Sequence, residues 1–285
     1  MKIGAHVSSA GGISQVFDRA AKIGAEAIQL FLSAPRRWKG PEPSVQEVSA
    51  FRALAEQTGL PTWAHAPYLV NLASGNPEIV EKSVGCLLQS LRVCNAVGIE
   101  GLVFHVGSHL GAGFEATLGG VAAAIGEVIA GAEGKSLLLL ENNAGQGGGV
   151  GATFAELGAI IEAVDDSERL GVCLDTCHAL AMGYDLSSSD GTVEAMSEFE
   201  RELGLARLEV VHANDSKAPL GGVRDRHENI GDGHIGIEGF TAVIGHAAFA
   251  EATFLLEVPG LEGNGPDTEN VRRLKDIRAR VRPGG

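Results

Sequence analysis

Six apolar segments of this 285-residue chain end at a histidine, an aspartate or a glutamate, the side chains that supply nitrogen and oxygen ligands to metal ions. In WAHAPY, VFHVGS, LLENNAG, VCLDTCH, VVHANDS and LLEVPG, these donors are His65, His105, Glu141, Asp175, His212 and Glu257. Nearby segments add three more donors: His178, Asp225 and His227. A carboxylate beside a histidine in a buried pit is costly unless it is paired or coordinates a metal. The pattern therefore predicts a metal centre.

The chemistry of this donor set indicates which ions it binds. Five imidazoles and four carboxylates without a thiolate suit zinc or manganese better than magnesium, which prefers oxygen ligands and water. Nine donors exceed the three or four ligands of one catalytic zinc, so we expect two or three ions and at least one bridging carboxylate. Such a cluster activates water and stabilises both the attacking and the leaving oxygen of a phosphoryl displacement. Phosphoester hydrolysis is therefore the leading prediction.

A parallel barrel would bring these donors together, because each of its strands delivers its last inward side chain to the same face. Eight short runs have strand-like composition, at residues 2–7, 27–32, 61–66, 101–106, 136–142, 170–175, 208–213 and 253–258. Segments with helical spacing alternate with them, at residues 12–23, 44–58, 77–97, 114–130, 153–164, 193–203, 237–248 and 267–281. We therefore predict an α/β fold, a single (β/α)₈ TIM barrel over residues 1–285, with the active site at the C-terminal face of the strands.

The charge and cysteine content limit the class of protein. The net charge of −14 argues against a general nucleic-acid-binding protein, because affinity for phosphate depends largely on lysine and arginine. Four cysteines without a CxxC spacing fit a reducing compartment. The chain starts without a signal-like segment, and no apolar run reaches the roughly 18 residues that span a bilayer. We expect a cytoplasmic protein without membrane contact, and no obligate protein partner is evident.

Eight motifs then occur in order between Ala5 and Gly260: HVS-x-AGG, HAPYLVNLAS, FHVGSHLG, LENNAGQG, LDTCHALAMGYD, HANDSK, DRHENIGDGHIG and LEVPG. Together they resemble the endonuclease IV family of apurinic/apyrimidinic endonucleases, also called AP endonuclease family 2. DTCH, HxNDSK and DRHENIG are long, ordered matches, and the resemblance covers essentially the whole chain.

The resemblance implies a zinc-dependent DNA-repair endonuclease of base excision repair. Such an enzyme hydrolyses the phosphodiester bond on the 5′ side of an abasic site and leaves a 3′-hydroxyl and a 5′-deoxyribose phosphate. The implied ligands of its three zinc ions are His65, His105 and Glu141; Glu141, Asp175, His212 and Glu257; and His178, Asp225 and His227. Glu141 and Glu257 would be the catalytic carboxylates: Glu141 as the bridge between the first two ions, and Glu257 orienting the attacking hydroxide. Manganese in one of the sites is the alternative to an all-zinc centre.

Three loop residues are implied to contact double-stranded DNA that contains an abasic site: Arg36, Arg37 and Tyr68. Loops of the family enter the duplex where the abasic nucleotide is flipped out, and flipping costs least where no base is stacked. Arg37 stands where a glutamine is expected, and Val258 stands where a threonine is common. An acidic chain would bind DNA through a locally basic face, for which the candidates are Arg36, Arg37, Lys39, Lys217, Arg224 and Arg226.

Two alternatives belong to other functional classes. A sugar isomerase or epimerase on the same barrel would accommodate the acidic charge, but it would not explain the third donor set or the arginine pair. A metal-binding or DNA-scaffolding protein without catalysis is the second alternative, although an open site with several metals is suited to chemistry. Outside the ligand sets, His6 and His109 are candidates for orienting the ligands through hydrogen bonds.

Overall fold

The computed structural model describes residues 1–165 and 167–282; Asp166 and residues 283–285 of the predicted domain lie outside the described residues. The strands are β1 (Lys2–His6), β2 (Ile28–Phe31), β3 (Thr62–His65), β4 (Gly101–His105), β5 (Leu137–Glu141), β6 (Leu170–Asp175), β7 (Leu208–His212), β8 (Asp215–Ser216), β9 (His227–Glu228) and β10 (Thr253–Leu256). Eight of them form a closed parallel barrel in the order β1-β10-β7-β6-β5-β4-β3-β2. The predicted α/β barrel is confirmed, and every predicted strand is present.

The helices surround this barrel as its outer layer. They are α1 (Gln15–Ile23), α2 (Val45–Thr58), α3 (Pro77–Val97), α4 (Phe114–Gly131), α5 (Phe154–Ala163), α6 (Thr176–Ala181), α7 (Ser189–Glu202), α8 (Gly236–Gly245) and α9 (Thr268–Val281). A capping box begins α2, where Ser44 and Glu47 exchange hydrogen bonds. At α5, Thr153 accepts from the amide of Glu156, but the Glu156 carboxylate accepts from two loop amides instead of returning to Thr153.

A small apolar cluster fills the barrel interior beneath the polar face. Its buried members are Ala27, Trp63, Val103, Leu139, Cys173, Val210 and Leu255. Successive side chains of a strand point to opposite faces, so residues two positions further along point the same way. The parallel register then sets neighbouring strand ends side by side, pairing His105 with Glu141 and Asp175 with His212.

The structure departs from the predicted elements mainly in five places. Helix α1 begins at Gln15 and not at residue 12. Helix α6 was not predicted; the carboxylate of Asp175 starts it by accepting from the amide of His178. The hairpin β8–β9 was not predicted either, because each strand has only two residues. Helix α7 begins before the predicted position, since Ser188 caps it. Helix α8 ends earlier than predicted and is followed by a 3₁₀ turn, Ala247–Phe249.

Among the described residues, α4 is long and apolar enough to cross a membrane, with a mean hydropathy of 1.3 over 18 residues. Core helices of soluble proteins meet the same criterion. Here α4 packs between α3 and α5 in the outer layer of the barrel. Its apolar character is therefore consistent with its place in the fold.

Candidate metal centre

Each barrel strand contributes one polar side chain in or just after its last few residues. These are His6, Gln29, His65, His105, Glu141, Asp175, His212 and Glu257. Seven of them lie two residues beyond a member of the interior cluster, so they share its inward direction and form a polar pit above it. Leu139 and Glu141 on β5 are one such pair. A cavity of about 600 Å³ beside the pit is lined in part by Tyr68, His105, His178 and Asp225.

All nine donors predicted from the sequence lie in this pit or at its edge. Their nitrogen and oxygen atoms form three groups within which every pair lies inside 4.8 Å: His65, His105 and Glu141; Glu141, Asp175, His212 and Glu257; and His178, Asp225 and His227. The structure also groups the thiol of Cys177 with Asp175 and His227 within the same distance. Cys177 is fully buried, and burial raises its pKa to about 12.

Glu141 connects the first two groups. Its Oε2 lies 3.0 Å from Nε2 of His65 and 3.5 Å from Nε2 of His105. Its Oε1 lies 3.0 Å from Nδ1 of His212. Burial raises the pKa of this carboxyl, but His105 and His212 outweigh that effect and hold it well below its usual range. The geometry is that of a carboxylate that can bridge two cations.

The imidazole rings of His65 and His178 are oriented as in metal sites, where one ring nitrogen is held by a hydrogen bond and the other faces the metal. Nδ1 of His65 lies 2.7 Å from the carbonyl oxygen of Ala66, and Nδ1 of His178 lies 2.9 Å from that of Asn142. Since a carbonyl only accepts, both rings donate from Nδ1 and present Nε2 to the pit. The rings are therefore preorganised as ligands.

The third group supplies a direct test of whether a cation fits. Nε2 of His178 and Nε2 of His227 are buried and have no hydrogen-bond partner among the described residues. Both point at Oδ1 of Asp225, at 3.3 Å and 3.2 Å. Two buried imidazole nitrogens and a carboxylate oxygen that converge on one point are a donor set for a divalent metal ion. The residues present therefore fit such an ion.

Without a metal ion, protons on the imidazoles balance the carboxylates. Burial lowers the pKa of His178, but Asp175 and Asp225 outweigh it and raise the pKa to about 10. Burial likewise lowers the pKa of His227, and the same two carboxylates raise it to about 9. Burial raises the pKa of Glu257, yet His212 and His6 hold it far below its usual range. Metal ions would displace the imidazole protons and take over their charge-balancing role.

Several buried polar residues that orient the ligands were missed by the sequence interpretation. Asn214 donates from Nδ2 to Oδ2 of Asp175 at 2.7 Å, and its Oδ1 accepts from the amide of Glu257 at 2.8 Å. Asn142 exchanges hydrogen bonds with the backbone of Asp175. Gln29 contacts His212 and Glu257. The signal for all three was in the sequence: each is an amide beside a donor motif or, for Gln29, inside the apolar strand IQLF.

The two histidines proposed to orient ligands differ in outcome. Nδ1 of His6 lies 3.0 Å from Oε1 of Glu257, which supports the proposed orienting role. His109 lies in the loop after β4, where its Nδ1 accepts from the amides of Gly111 and Gly113. It therefore organises its own loop and does not contact a predicted ligand in the hydrogen bonds described.

The three predicted DNA-contacting residues lie on loops at the rim of the pit. The Tyr68 ring is 55% exposed, and its centroid lies 5.8 Å from that of His65 and 6.4 Å from that of His105. The amide of Tyr68 donates to the carbonyl of Pro35, which joins the loop after β3 to the loop that carries Arg36 and Arg37. Both arginines are exposed.

Comparison with known proteins gives a consistent result. The family model described as a xylose isomerase-like TIM barrel matches residues 17–277. A protein of Halothermothrix orenii named "Probable endonuclease 4" is 40% identical over 276 residues, which are 96% of this chain and 99% of that protein. The crystal structure of endonuclease IV from Thermus thermophilus has a TM-score of 0.87 and 35% identity, covering 98% of this chain and 100% of that chain. A D-tagatose 3-epimerase-like protein has a TM-score of 0.72 at 21% identity, covering 99% of this chain and 97% of that chain, so it shares the fold alone.

Proposed function

Since the chain belongs to the endonuclease IV family, we propose that it is a zinc-dependent DNA-repair endonuclease that hydrolyses the phosphodiester bond 5′ to abasic sites. Its products are a 3′-hydroxyl and a 5′-deoxyribose phosphate, as in base excision repair. One observation carries the proposal: nine donors, six at the ends of barrel strands and three in the segments that follow β6 and β8, meet in one pit as three groups, each suited to a metal ion. We assign the activity to the cytoplasm, with which four free cysteines are compatible.

Three zinc ions are the cofactors of this proposal, with manganese in one site as the alternative. Each of the three donor groups would hold one ion, and Glu141 would be shared by the first two. Bound zinc supplies Lewis-acid stabilisation of the negative charge that develops on the reacting phosphate. The set of imidazoles and carboxylates suits zinc better than magnesium, which prefers oxygen ligands.

Glu257 is the side chain we assign to orienting the attacking water. Its Oε1 accepts from Nε2 of Gln29 at 2.6 Å and lies 3.0 Å from Nδ1 of His6. Because Oε1 is held in this way, Oε2 faces the pit, 3.5 Å from Nδ1 of His212. The Glu257 side chain is 14% exposed, so it is reachable from the open side of the pit, whereas Glu141 is 1% exposed. This difference suits Glu141 to a structural bridge and Glu257 to contact with the reacting groups.

Recognition of DNA is assigned to the rim. The exposed ring of Tyr68 and the arginines Arg36 and Arg37 stand on adjoining loops beside the pit. A flipped-out abasic nucleotide would pass Tyr68 to bring its 5′ phosphate over the donors. Flipping costs least where no base is stacked, which gives selectivity for abasic sites without reading sequence.

The distribution of charge makes binding of a polyanion compatible with the net charge of −14. Arg36, Arg37 and Arg224 are exposed and form no ion pair among the described residues, so their charges remain available to phosphates. Lys39 and Lys217 are partly neutralised, at 3.0 Å from Glu42 and 3.7 Å from Glu228. The metal ions would add positive charge at the centre of the same face.

The test is incision of an end-labelled duplex that carries one tetrahydrofuran abasic analogue, with zinc-loaded protein. The analogue lacks the aldehyde that a lyase needs, so a nick immediately 5′ to it identifies hydrolysis. Glu257→Gln is expected to lower kcat by more than about 100-fold, the lower end of what a positioned acid–base group contributes. Glu162→Gln, an exposed change on α5, is the matched control and should retain full activity.

The outcomes separate the alternatives. Absence of a nick by protein with a full zinc content would overturn the proposal. Epimerisation of a ketose by the same sample would then favour the sugar epimerase, whose fold this chain shares. Binding of the abasic duplex without turnover would favour a scaffold.

A further inference from the structure

Gln29 is a buried polar residue within an otherwise apolar strand. It lies in β2 between Ile28 and Leu30, and its accessible surface is 0%. Its side chain points in the same direction as Ala27 of the barrel interior, so it enters the floor of the pit. A buried amide is costly unless its hydrogen bonds are made, so its partners indicate its role.

Both ends of the Gln29 amide bond to predicted metal ligands. Nε2 lies 2.6 Å from Oε1 of Glu257, and Oε1 lies 2.8 Å from Nε2 of His212. A carboxylate oxygen accepts hydrogen bonds, so the amide nitrogen must face Glu257 and the amide oxygen must face His212. The amide oxygen in turn requires a donor, so His212 must carry its proton on Nε2.

This contact distinguishes His212 from the other ligand histidines. His65 and His178 donate from Nδ1 to backbone carbonyls and present Nε2. His212 donates from Nε2 to a side chain and presents Nδ1, which lies 3.0 Å from Oε1 of Glu141 and 3.5 Å from Oε2 of Glu257. A backbone carbonyl remains when the side chain of its residue is replaced. The partner of His212 is a side chain, so a single substitution of Gln29 removes it.

We propose that Gln29 is a positioning residue, and this rests on the proposed function: its amide sets the tautomer of His212 and, together with His6, holds Oε1 of Glu257. The two hydrogen bonds act in concert. Nδ1 of His212 and Oε2 of Glu257 face the same donor group, because Nε2 of His212 is bonded to Gln29 and Oε1 of Glu257 is bonded to Gln29 and lies 3.0 Å from Nδ1 of His6. Gln29 is fully buried, and both ends of its amide are bonded to ligand side chains, so its role is to position them.

The test compares Gln29→Leu and Gln29→Met. Both substitutions keep a side chain of similar size and remove both hydrogen bonds of the amide. Loss of such an outer partner lowers activity or metal affinity by about 10–100-fold, so kcat should fall by that factor. KM for the abasic duplex should be unchanged, because a buried residue cannot alter DNA contacts at the rim. Ile28→Val on the same strand, which faces the helix layer, is the matched control and should retain kcat.

A second readout does not depend on turnover. Long-range nitrogen-15 spectra of zinc-loaded protein with labelled histidine should show His212 with a proton on Nε2 and a metal on Nδ1. In both Gln29 variants this signal should shift or split, while those of His65 and His178 stay in place. Zinc content, measured on the same samples, should fall below that of the control when the protein is dialysed against a weak chelator.

Each outcome is decisive. The inference would be overturned if kcat were unchanged in the variants, with or without a raised KM, or if the His212 signal were unchanged. A packing defect is excluded if the leucine and methionine variants behave alike. If the wild-type protein does not nick the abasic duplex but the His212 signal responds to Gln29, the proposed function fails while the positioning role stands. If the wild type nicks and the variants match it, the positioning role alone fails.

Discussion

Glu141 and His212 meet across the mouth of the barrel, with Oε1 of the carboxylate 3.0 Å from Nδ1 of the imidazole. The two residues end strands that are separated by β6, and both are fully enclosed by the barrel. The opposite oxygen of Glu141 lies 3.0 Å from His65. One carboxylate therefore contacts both His65 on β3 and His212 on β7, two strands that are far apart in the sequence.

This bridging position predicts the effect of Glu141→Gln. The amide cannot offer an anionic oxygen to both donor groups, so we expect loss of two of the three zinc ions and a fall in kcat of more than about 100-fold, beyond the effect of losing an outer partner. Atomic absorption measures the number of zinc ions bound per protein molecule, and incision of the abasic duplex measures kcat. Glu162→Gln is the control. Retention of three zinc ions by the variant would show that Glu141 is not a shared ligand.

Removal of the metal ions should abolish incision and leave the protein folded. The protonated imidazoles of His178 and His227, with pKa values of about 10 and 9, compensate the buried carboxylates in the metal-free form. We expect a strong chelator to lower Tm by more than about 10 °C, since metal binding contributes to folding free energy. Zinc should restore both activity and Tm. Full activity after complete chelation would contradict metal dependence.

The rim residues should govern DNA affinity rather than the chemical step. Arg36→Ala and Arg37→Ala each remove one phosphate contact, so each should raise KM and reduce the salt slope of binding by about 1. Tyr68→Ala should weaken binding of abasic duplex more than binding of intact duplex. Fluorescence anisotropy at several salt concentrations measures these effects, with Lys135→Ala as an exposed control at the other end of the barrel. A salt slope near zero for the wild type would exclude binding through this face.

The ion pair between Glu26 and Arg278 connects the first and last parts of the chain. It predicts that the free energy of unfolding depends on pH. Nη1 and Nη2 of Arg278 on α9 donate to the two carboxylate oxygens of Glu26 at 2.6 Å and 2.9 Å. Burial raises the pKa of Glu26, but Arg278 and the amide of Ile3 outweigh it and lower the pKa to about 2. The unfolded chain has a glutamate pKa of about 4.3, so the contribution is complete above that value and is lost as pH falls toward 2.

The corresponding measurement is urea unfolding of wild type and Glu26→Gln between pH 2 and pH 7. After allowance for solvent screening, we expect the variant to be about 1–2 kcal/mol less stable at pH 7 and equal to wild type near pH 2. For the control Glu162→Gln, the difference in unfolding free energy from wild type should not change with pH. A stability difference that is constant with pH would mean that packing, and not charge, is lost.

Asp215 should be essential for the segment between β8 and α8, which carries Asp225 and His227 of the third donor group. Its buried carboxylate accepts from the backbone amides of Ser216, Gly231, Gly233, Ile235 and Gly236. Asp215→Asn places an NH₂ group against these donors, so we expect a loss of about 3 kcal/mol of unfolding free energy and of the third zinc ion. Asp232→Asn in the same loop removes only an exposed ion pair with Arg273 and should cost less than about 1 kcal/mol. Equal stability of the two variants would contradict this role.

Local sequence pattern was sufficient for most of the fold. Each strand is a short apolar run with turn residues at its ends, and strict alternation with helical spacing allows one closed arrangement. Helix α6 and the hairpin of Asp215 and Ser216 with His227 and Glu228 escaped prediction because neither is long enough to show a period. Both depend on a long-range partner: β8 pairs with β9, and Thr176 at the start of α6 donates to the carbonyl of Asn214.

The sequence by itself determined that donors at the ends of six strands gather at the polar pit, because the carboxyl ends of parallel barrel strands meet at one face. Only the tertiary structure decided how they face one another. Gln29 and Glu257 are 228 residues apart, and the nitrogen that His212 presents depends on that same amide. Such hydrogen bonds follow from the register and closure of the barrel, which bring the first strands against the last. The spacing of residues along the chain does not predict these hydrogen bonds.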